Sequence, residues 1–333
     1  MEVPRIQFND GKHEEGATIV ITHGDGDGIC SGAMLKRLFP DCLVRFSRPK
    51  DLKEELKRLE GFQNLFLCDL AINEGDEQVI IEGISRIASS GTKVFFIDHH
   101  PLPPNLKVEG ILGATVLHDV EASASELVYK AFRDRLGPEV VFLALYGAIA
   151  DYADNTPFVI SELGRWDKRI IYMEAAILVE ALTQIRDPEY KLIILEELAQ
   201  GKKPSEVPNL SFTALEGLRK EYEVYEYVRK YVTVRGDLAI VSQLPFPGYS
   251  GKAATYAAAI TGAKVGIVVN LRNDMADLSL RTRSVSIDLN GLLRRLTRSL
   301  GGHGGGHHQA ASARIPSDSL ESFLGLLNTL IKE

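Results

Sequence analysis

The sequence predicts a two-domain α/β protein, with a parallel sheet in the N-terminal domain and a smaller α/β domain after it. In the first half, short apolar runs alternate with helical patterns, and buried strands that alternate with helices are typical of a parallel sheet. The chain has 333 residues, about twice a typical domain, which favours two domains. A stretch dense in Glu and Lys lies between the two halves.

Three predicted strands of the N-terminal half each end in polar residues. The strands are expected at 17–21, 65–67 and 93–97, with helices at 30–39 and 78–89 between them. The residues that follow the strands are His23-Gly-Asp25-Gly-Asp27, Asp69 and Asp98-His99-His100. Since ligands of a parallel sheet collect beyond the carboxyl ends of its strands, we expect these groups to converge. Further helices are predicted at 121–135 and 138–150, and the second runs into Asp151.

The change in composition at 188–231 predicts a solvated helical connector. We therefore expect domains at 1–187 and 232–333, joined by this connector. After the connector, patterns typical of strands and helices alternate again. Strands are predicted at 237–243, 264–271 and 277–284, and helices at 252–260, 288–300 and 318–331.

Charge and cysteine content exclude several classes of protein. The net charge of −7 argues against a broad basic nucleic-acid surface, so a polyanion is expected to bind in a local cleft. Residues 1–16 lack the apolar core of a signal peptide, and no apolar run approaches the ~20 residues of a membrane span. We therefore expect a cytoplasmic protein. Cys30, Cys42 and Cys68 lack the paired spacing of a zinc site, which predicts buried free thiols.

Two polar clusters of the N-terminal half are candidate metal ligands. His23, Asp25 and Asp27 alternate along one segment, so their side chains point to the same side, and such oxygen and nitrogen donors suit Mn²⁺ or Mg²⁺. A plain turn is the alternative, because Asp-Gly pairs favour turns. Adjacent His99 and His100 are hard to bury unless they are ligated or paired; a structural hydrogen-bond network is the alternative there.

A glycine-rich tract at 301–311 is a candidate anion site. It is too glycine-dense for the interior of an element, which indicates close approach of the backbone to another group. It follows a predicted helix and not a strand, so it is not a dinucleotide-binding fingerprint. A flexible loop is the alternative. Upstream, Arg281 and Arg283 are placed on one side of a predicted strand, where they can pair with phosphate or simply face solvent.

Four motifs of the N-terminal half follow one another in a fixed order: His23-Gly-Asp25-Gly-Asp27-Gly28, strand-terminal Asp69, Asp98-His99-His100 and Gly147-Ala148-Ile149-Ala150-Asp151. Together they resemble the four successive motifs of the DHH phosphoesterase superfamily. Four motifs in the right order are far more specific than one. The resemblance covers essentially the whole first domain.

The resemblance implies a two-metal site that holds two Mn²⁺ ions, with Mg²⁺ as the other candidate. One ion is expected on His23, Asp25 and Asp69, and the second on Asp27, Asp69, His99 and Asp151. Asp98 is expected to orient a ligand imidazole, and His100 to face the substrate phosphate. Two such ions suit the hydrolysis of a phosphoester.

The glycine tract extends the resemblance to the second domain. Gly304 to Ala311 resembles the Gly-Gly-Gly-His-x-x-Ala-Ala element of the DHHA1 domain, although Ser312 stands where that pattern usually has glycine. The resemblance implies that the substrate is held in a cleft between the domains. The expected substrate contacts are His307, Gly305, Gly306, His303, Arg281 and Arg283.

The DHHA1-like domain favours the nuclease branches. We expect a Mn²⁺-dependent exonuclease that releases 5′-mononucleotides from single-stranded DNA or RNA, in DNA repair or RNA turnover. The alternatives are an NrnA-type enzyme for short oligoribonucleotides or linear dinucleotides, and a catalytically idle scaffold. The compact form is similar to stand-alone archaeal RecJ-like nucleases, a group that includes the Hef-associated nuclease. That similarity implies 3′-to-5′ polarity and a repair helicase as partner; a homo-oligomer is left open.

Overall fold

The computed structural model describes residues 17–331, which form two compact units that divide between Glu216 and Gly217. Segment 1–16, where a signal peptide was predicted to be absent, lies outside the described residues. Between residues 17 and 331, no helix is both long and apolar enough to cross a membrane. Cys30, Cys42 and Cys68 are buried free thiols, as predicted.

The N-terminal unit is built on a five-stranded sheet in which every neighbouring pair of strands is parallel. Its strands are β1 (Thr18–Thr22), β2 (Leu43–Phe46), β3 (Asn64–Cys68), β4 (Lys93–Asp98) and β5 (Ala114–His118), in the order β2-β1-β3-β4-β5. The predicted parallel sheet is confirmed. Strands β2 and β5, which the sequence patterns missed, form its edges.

Helices cover both faces of this sheet. They are α1 (Gly26–Leu38), α2 (Leu52–Lys57), α3 (Glu77–Ser89), α4 (Ala124–Phe132), α5 (Val141–Ala150), α6 (Pro157–Leu163), α7 (Lys168–Gln184) and α8 (Pro188–Ala199). Alternate strand residues enter two separate cores: Val20 and Phe66 face α1, α4 and α5, while Ile21 and Leu67 face α2 and α3. Burial on both faces explains why these strands read as continuous apolar runs.

The stretch predicted as a solvated connector is partly core. Ile194, Leu195 and Leu198 of α8 are buried in the core of the N-terminal unit, where α8 packs against α1. The high density of Glu and Lys obscured this apolar stripe. The next helix, α9 (Leu210–Tyr231), passes through the division between the units.

The C-terminal unit contains a six-stranded mixed sheet, which confirms the predicted smaller α/β domain. Its strands are β6 (Thr233–Arg235), β7 (Leu238–Ser242), β8 (Val265–Arg272), β9 (Met275–Thr282), β10 (His303–Gly306) and β11 (Ala310–Pro316), in the order β10-β11-β9-β8-β7-β6. Among the described strands of this sheet, only β7 and β8 pair in parallel. The accompanying helices are α10 (Ser250–Thr261), α11 (Leu289–Ser299) and α12 (Leu320–Leu330).

The glycine tract is an edge strand, and the expectation that it cannot form the interior of an element is wrong. Residues His303–Gly306 form β10, which pairs antiparallel with β11. A Cβ built on Gly304 would lie 3.1 Å from the Thr297 side chain of α11 and 3.0 Å from the Cβ of Ala313. Glycine therefore lets this strand pack closely against a helix, which a strand with side chains on both faces would prevent.

Candidate metal centre

The polar residues that follow β1, β3 and β4 lie at one edge of the N-terminal sheet. Asp25 is the N-cap of α1, and its Oδ1 accepts a hydrogen bond from the amide of Gly28 at 3.0 Å. Asp69 directly follows β3 with φ of +55° and donates its amide to Ile97 of β4 at 3.0 Å. Parallel strands thus deliver these side chains to a common place, as predicted.

The first group of donors contains His23, Asp25 and Asp69. Nδ1 of His23 lies 2.7 Å from Oδ2 of Asp25 and 3.7 Å from Oδ2 of Asp69. One ligand atom from each of the three residues lies within 4.8 Å of the other two. An imidazole and two carboxylates so close together fit a divalent cation such as Mn²⁺.

The second group of donors contains Asp27, Asp69 and His99, with Asp151 beside it. Nε2 of His99 lies 3.3 Å from Oδ1 of Asp69, 3.3 Å from Oδ2 of Asp151 and 3.9 Å from Oδ2 of Asp27. Asp27, Asp69 and His99 are each at most 3% exposed. The structure therefore brings all six predicted metal ligands together, and Asp69 belongs to both groups.

The buried carboxylate of Asp27 is held by the N-terminus of α4. Its Oδ2 accepts from the amide of Ala124 at 2.7 Å, and its Oδ1 from the amide of Ser125 at 2.9 Å. Amides at a helix N-terminus attract negatively charged groups, and these two donors satisfy both oxygens of the buried side chain. The orientation of Asp27 is consequently fixed before any ligand binds.

The carboxylates of this site are close enough to repel one another, so a bound positive charge would stabilise them. Burial, followed by the nearby charges of Asp25, Asp27 and Asp151, raises the pKa of Asp69 well above its usual range. Burial and the charges of Asp27 and Asp25 also raise the pKa of Asp151, to about 8. Divalent cations relieve this repulsion, because they favour the ionised carboxylates that bind them. The donor set thus fits metal ions on its chemistry as well as its geometry.

The two adjacent histidines have different surroundings. Burial lowers the pKa of His99, which favours the neutral imidazole that a metal requires. Burial alone would also lower the pKa of His100, but the surrounding carboxylates, first of all Asp98, raise it to about 9. His100 is therefore suited to interact with an anion.

Asp98 was predicted to orient a histidine that binds metal, but its carboxylate contacts His100, which is not a metal-ligand candidate. Its Oδ1 lies 2.9 Å from Nδ1 of His100, and its Oδ2 accepts from the amide of His100 at 3.1 Å. Nε2 of His118 contacts the carbonyl of His100 at 2.8 Å. The short separation along the chain explains this contact. Asp98 is the last residue of β4, and its side chain reaches back to His100, two positions later.

The predicted substrate contacts of the C-terminal unit lie around the β10–β11 hairpin. The amide of His307 donates to the carbonyl of Ala310 at 2.8 Å, and the amide of Gly306 donates to Oδ1 of Asn290 at 3.1 Å. Arg281 of β9 pairs in register with Ala310. Arg281 is therefore next to the end of the glycine tract at Ala310, while Gly305 lies two strands away from β9, on the far side of β11.

Two of the predicted contacts are placed differently. Arg283 is exposed and follows the end of β9, so it does not share a strand face with Arg281. His303 is exposed at the start of β10, where it pairs in register with Arg314. Strand β9 has the predicted length but begins and ends two residues earlier than predicted, so Arg283 falls after its last residue, Thr282.

Sequence reasoning missed the positively charged side chain of Lys191, which lies beside the metal centre. Nζ of Lys191, in α8, donates a hydrogen bond to the carbonyl of Gly24, between His23 and Asp25. Burial lowers the pKa of Lys191, while the charge of Asp25 raises it. No local signal identifies this residue, because it lies in the charge-dense stretch that composition assigned to a connector.

Comparison with solved structures shows the same fold across the chain. A DHH-domain protein described as a member of the s1p family of ribosomal proteins is 16% identical, with a TM-score of 0.71 over 95% of this chain and 86% of that one. RecJ in complex with Mn²⁺ from Thermus thermophilus is 16% identical, with a TM-score of 0.63 over 95% of this chain and 52% of that one.

A third likeness has another described activity. The pGpG-specific phosphodiesterase PggH from Vibrio cholerae is 16% identical, with a TM-score of 0.59 over 95% of this chain and 99% of that one. At this identity, the three likenesses establish the fold. No curated protein sequence matches the chain.

Family models match both units separately. The N-terminal domain of the DHH family matches residues 17–150, which contain the ligand candidates from His23 to His99. The DHHA1 domain matches residues 239–333, which contain Arg281 and the glycine tract. With both domains present in this order, the chain belongs to the DHH/DHHA1 phosphoesterase superfamily.

Proposed function

We propose that the protein is a Mn²⁺-dependent exonuclease that releases 5′-mononucleotides from single-stranded DNA or RNA. The observation that supports this most is the pair of donor groups at the edge of the N-terminal sheet, which share Asp69. A DHHA1 domain in the same chain supports a substrate with a nucleotide end.

We assign His23, Asp25 and Asp69 to one ion, and Asp27, Asp69, His99 and Asp151 to the other. Bound there, two divalent ions supply an activated water and neutralise charge on the entering and leaving oxygens at phosphorus. The side chains then mainly position the ions and orient the substrate, since phosphoryl transfer requires little covalent chemistry from them. Asp27, which α4 holds in place, and buried Asp69 are suited to that role.

His100 is proposed to bind the substrate phosphate. The carboxylate of Asp98 holds its ring at Nδ1 and favours the protonated form, which pairs with a phosphate oxygen. Asp98 is then a positioning residue, because it acts through His100. Its complete burial keeps water from competing for that hydrogen bond.

The glycine tract of the C-terminal unit is proposed to hold the terminal nucleotide. Backbone amides of glycines such as Gly305 and Gly306 suit an anion, because no side chain blocks the approach of phosphate oxygens. His307 and Arg281 would add charge-assisted hydrogen bonds to the same phosphate. Arg283 and His303, which are exposed, are proposed as outer contacts of a longer strand.

A second candidate substrate is a short oligoribonucleotide or a linear dinucleotide. The likeness to the pGpG-specific phosphodiesterase, which extends over almost the whole of both chains, favours this candidate. Few phosphates need to be held in that case, which agrees with the net charge of −7.

Hydrolysis of an end-labelled 20-mer and of a dinucleotide, each with Mn²⁺ and with EDTA, tests the proposal. We expect Mn²⁺-dependent release of mononucleotides from the 20-mer. Rapid cleavage of the dinucleotide with an inert 20-mer would reject the exonuclease in favour of the second candidate. Inertness toward both substrates would reject a nuclease altogether.

We propose 3′-to-5′ polarity, which labelling each end of the 20-mer in turn tests. Early release of the 3′-terminal nucleotide is expected, and early release of the 5′-terminal one would contradict it. A repair helicase as partner stays a prediction of the resemblance, and self-association stays open.

A further inference from the structure

A pocket of about 610 Å³ opens on the C-terminal unit beside helices α9 and α10. None of the residues proposed above to bind metal or substrate lines it. The lining side chains come from one face of α9 and from the first turns of α10: Leu218, Arg219, Glu221, Tyr222, Tyr225 and Tyr256.

Three tyrosine rings give this pocket an aromatic wall. The rings of Tyr225 and Tyr256 meet edge to face, with centroids 5.6 Å apart at 86°, and the ring of Tyr222 lies 6.2 Å from that of Tyr225. Tyr222 is 67% exposed. An exposed aromatic group beside a fixed aromatic pair offers a face on which a planar ring can stack.

The charges around the pocket suit an anionic ligand with an aromatic group. The carboxylate of Glu221 accepts hydrogen bonds from the hydroxyl of Tyr256 and from Nζ of Lys252, so its negative charge is compensated within the wall. Glu223 is paired with Lys220 at 2.7 Å. Arg219 is exposed in the lining, where a guanidinium can meet a phosphate of the same ligand.

Helix α10 connects the pocket to Arg281. Lys252 and Tyr256 are one turn apart on α10 and both contact Glu221. Gly251, next to Lys252, packs against Arg281 so closely that a Cβ there would lie 2.4 Å from Nη2 of the guanidinium. An oligonucleotide whose phosphate is bound by Arg281 would therefore pass the first turn of α10 to reach the pocket. Arg281, α10 and the pocket all belong to the C-terminal unit.

We propose that this pocket is a stacking subsite for a nucleobase of a single-stranded oligonucleotide, away from the bond that is cut. The inference rests on the proposed nuclease function and extends it to substrate length. Every base has a π-face, so stacking accepts any sequence. A dinucleotide bound at Arg281 and the glycine tract does not require the subsite.

Binding of a fluorescently labelled single-stranded 20-mer, measured by anisotropy in EDTA to prevent hydrolysis, tests the subsite. Tyr222→Ala should weaken binding roughly tenfold, and Tyr222→Phe, which keeps the ring, should bind like the wild-type protein. Tyr231→Ala is the matched control, because Tyr231 is also exposed on α9 (49%) but lies outside the pocket. Equal affinity of Tyr222→Ala and Tyr231→Ala would overturn the proposal.

An abasic 20-mer separates stacking from charge. The wild-type protein should bind it about as weakly as Tyr222→Ala binds the normal 20-mer, and Tyr222→Ala should not weaken its binding further. An equal loss with both oligonucleotides would show that Tyr222 acts other than by stacking and would overturn the subsite. Cleavage assays with Mn²⁺ test the nuclease function separately, so a failure of one inference is distinguishable from a failure of the other.

Discussion

The buried carboxylate of Asp27 contacts both the start of α4 and the metal-ligand candidate His99. Its oxygens accept two amides at the start of α4, and Oδ2 also lies 3.9 Å from Nε2 of His99. Because the helix terminus holds the side chain, little conformational entropy remains to be lost when a cation binds. The residue thus joins the packing of α1 against α4 to the metal chemistry.

Asp69→Asn should reduce Mn²⁺-dependent hydrolysis by about 10³-fold or more, because the shared carboxylate of both donor groups is lost. Steady-state rates at several Mn²⁺ concentrations measure the effect. Asp154→Asn is the control, since Asp154 also follows α5 but is bonded by the hydroxyl of Tyr172. Full activity of Asp69→Asn would contradict the metal assignment.

Asp98→Asn should lower kcat/KM by roughly 10- to 100-fold, because the carboxylate that orients His100 is replaced by an amide. The variant should still bind Mn²⁺, which isothermal titration of the metal can measure. Its thermal unfolding shows whether the buried substitution harms the fold. Unchanged kcat/KM in a folded variant would remove Asp98 from its positioning role.

Among the elements, α5 must approach α1 and α4 closely for the fourth motif to reach the metal centre. A Cβ on Gly147 would lie 2.2 Å from Oγ of Ser125 and 2.7 Å from Oδ1 of Asp27. Glycine is therefore required here by packing, although the helical φ itself permits any residue. This close contact places Asp151, four residues later, beside His99.

Gly147→Ala should destabilise the protein by about 1–3 kcal/mol through overpacking and should reduce activity by displacing Asp27. Urea unfolding and steady-state kinetics measure the two effects. Gly325→Ala is a matched helical control, since a Cβ there meets nothing within 4 Å, and it should stabilise α12 by up to about 1 kcal/mol. Equal stability of the two variants would contradict the packing argument.

The two candidate arginines differ in their position relative to strand β9. Arg281 lies in the strand over Gly251, whereas Arg283 is exposed beyond its end. Arg281→Ala should lower kcat/KM by roughly 10- to 100-fold, because a charge-assisted hydrogen bond to phosphate is lost. Arg283→Ala should have a much smaller effect in the same assay. The reverse order would show that the substrate strand passes outside the hairpin.

At the scale of the whole molecule, the two units have separate cores. The N-terminal unit packs helices on both faces of a parallel sheet, and the C-terminal unit buries residues such as Leu278 and Phe323 within its own layers. The six metal-ligand candidates all belong to the first unit. Metal binding is consequently expected to stabilise that unit above all.

Mn²⁺ at 100 times its dissociation constant should stabilise the folded protein by about 2.7 kcal/mol, which raises the Tm of the N-terminal unit by roughly 5–10 °C. Differential scanning calorimetry with Mn²⁺ and with EDTA measures the shift. The Asp69→Asn variant should lose most of it. An equal shift in wild-type protein and variant would place the bound metal elsewhere.

The amino-acid sequence was enough to predict the parallel sheet, the order of the motifs and the convergence of the six donors. It could do so because each of the first three motifs directly follows a buried strand, and the carboxyl ends of parallel strands meet at one edge. Predicting the position of Asp151 also required the order of the motifs, because the end of a helix, unlike the end of a parallel strand, has no fixed place relative to the sheet. The three buried thiols also followed from local pattern alone.

The contact partners of those residues could not be predicted, because they depend on how distant parts of the chain pack together. The burial of α8 depends on its packing against α1, and Lys191 of α8 contacts Gly24, which lies 167 residues earlier in the chain. Composition does not reveal either contact. Likewise, Asp98 binds His100 because of the backbone geometry after β4. The glycine tract forms a strand because β11 and α11 supply its hydrogen bonds and its close packing, which local propensity opposes.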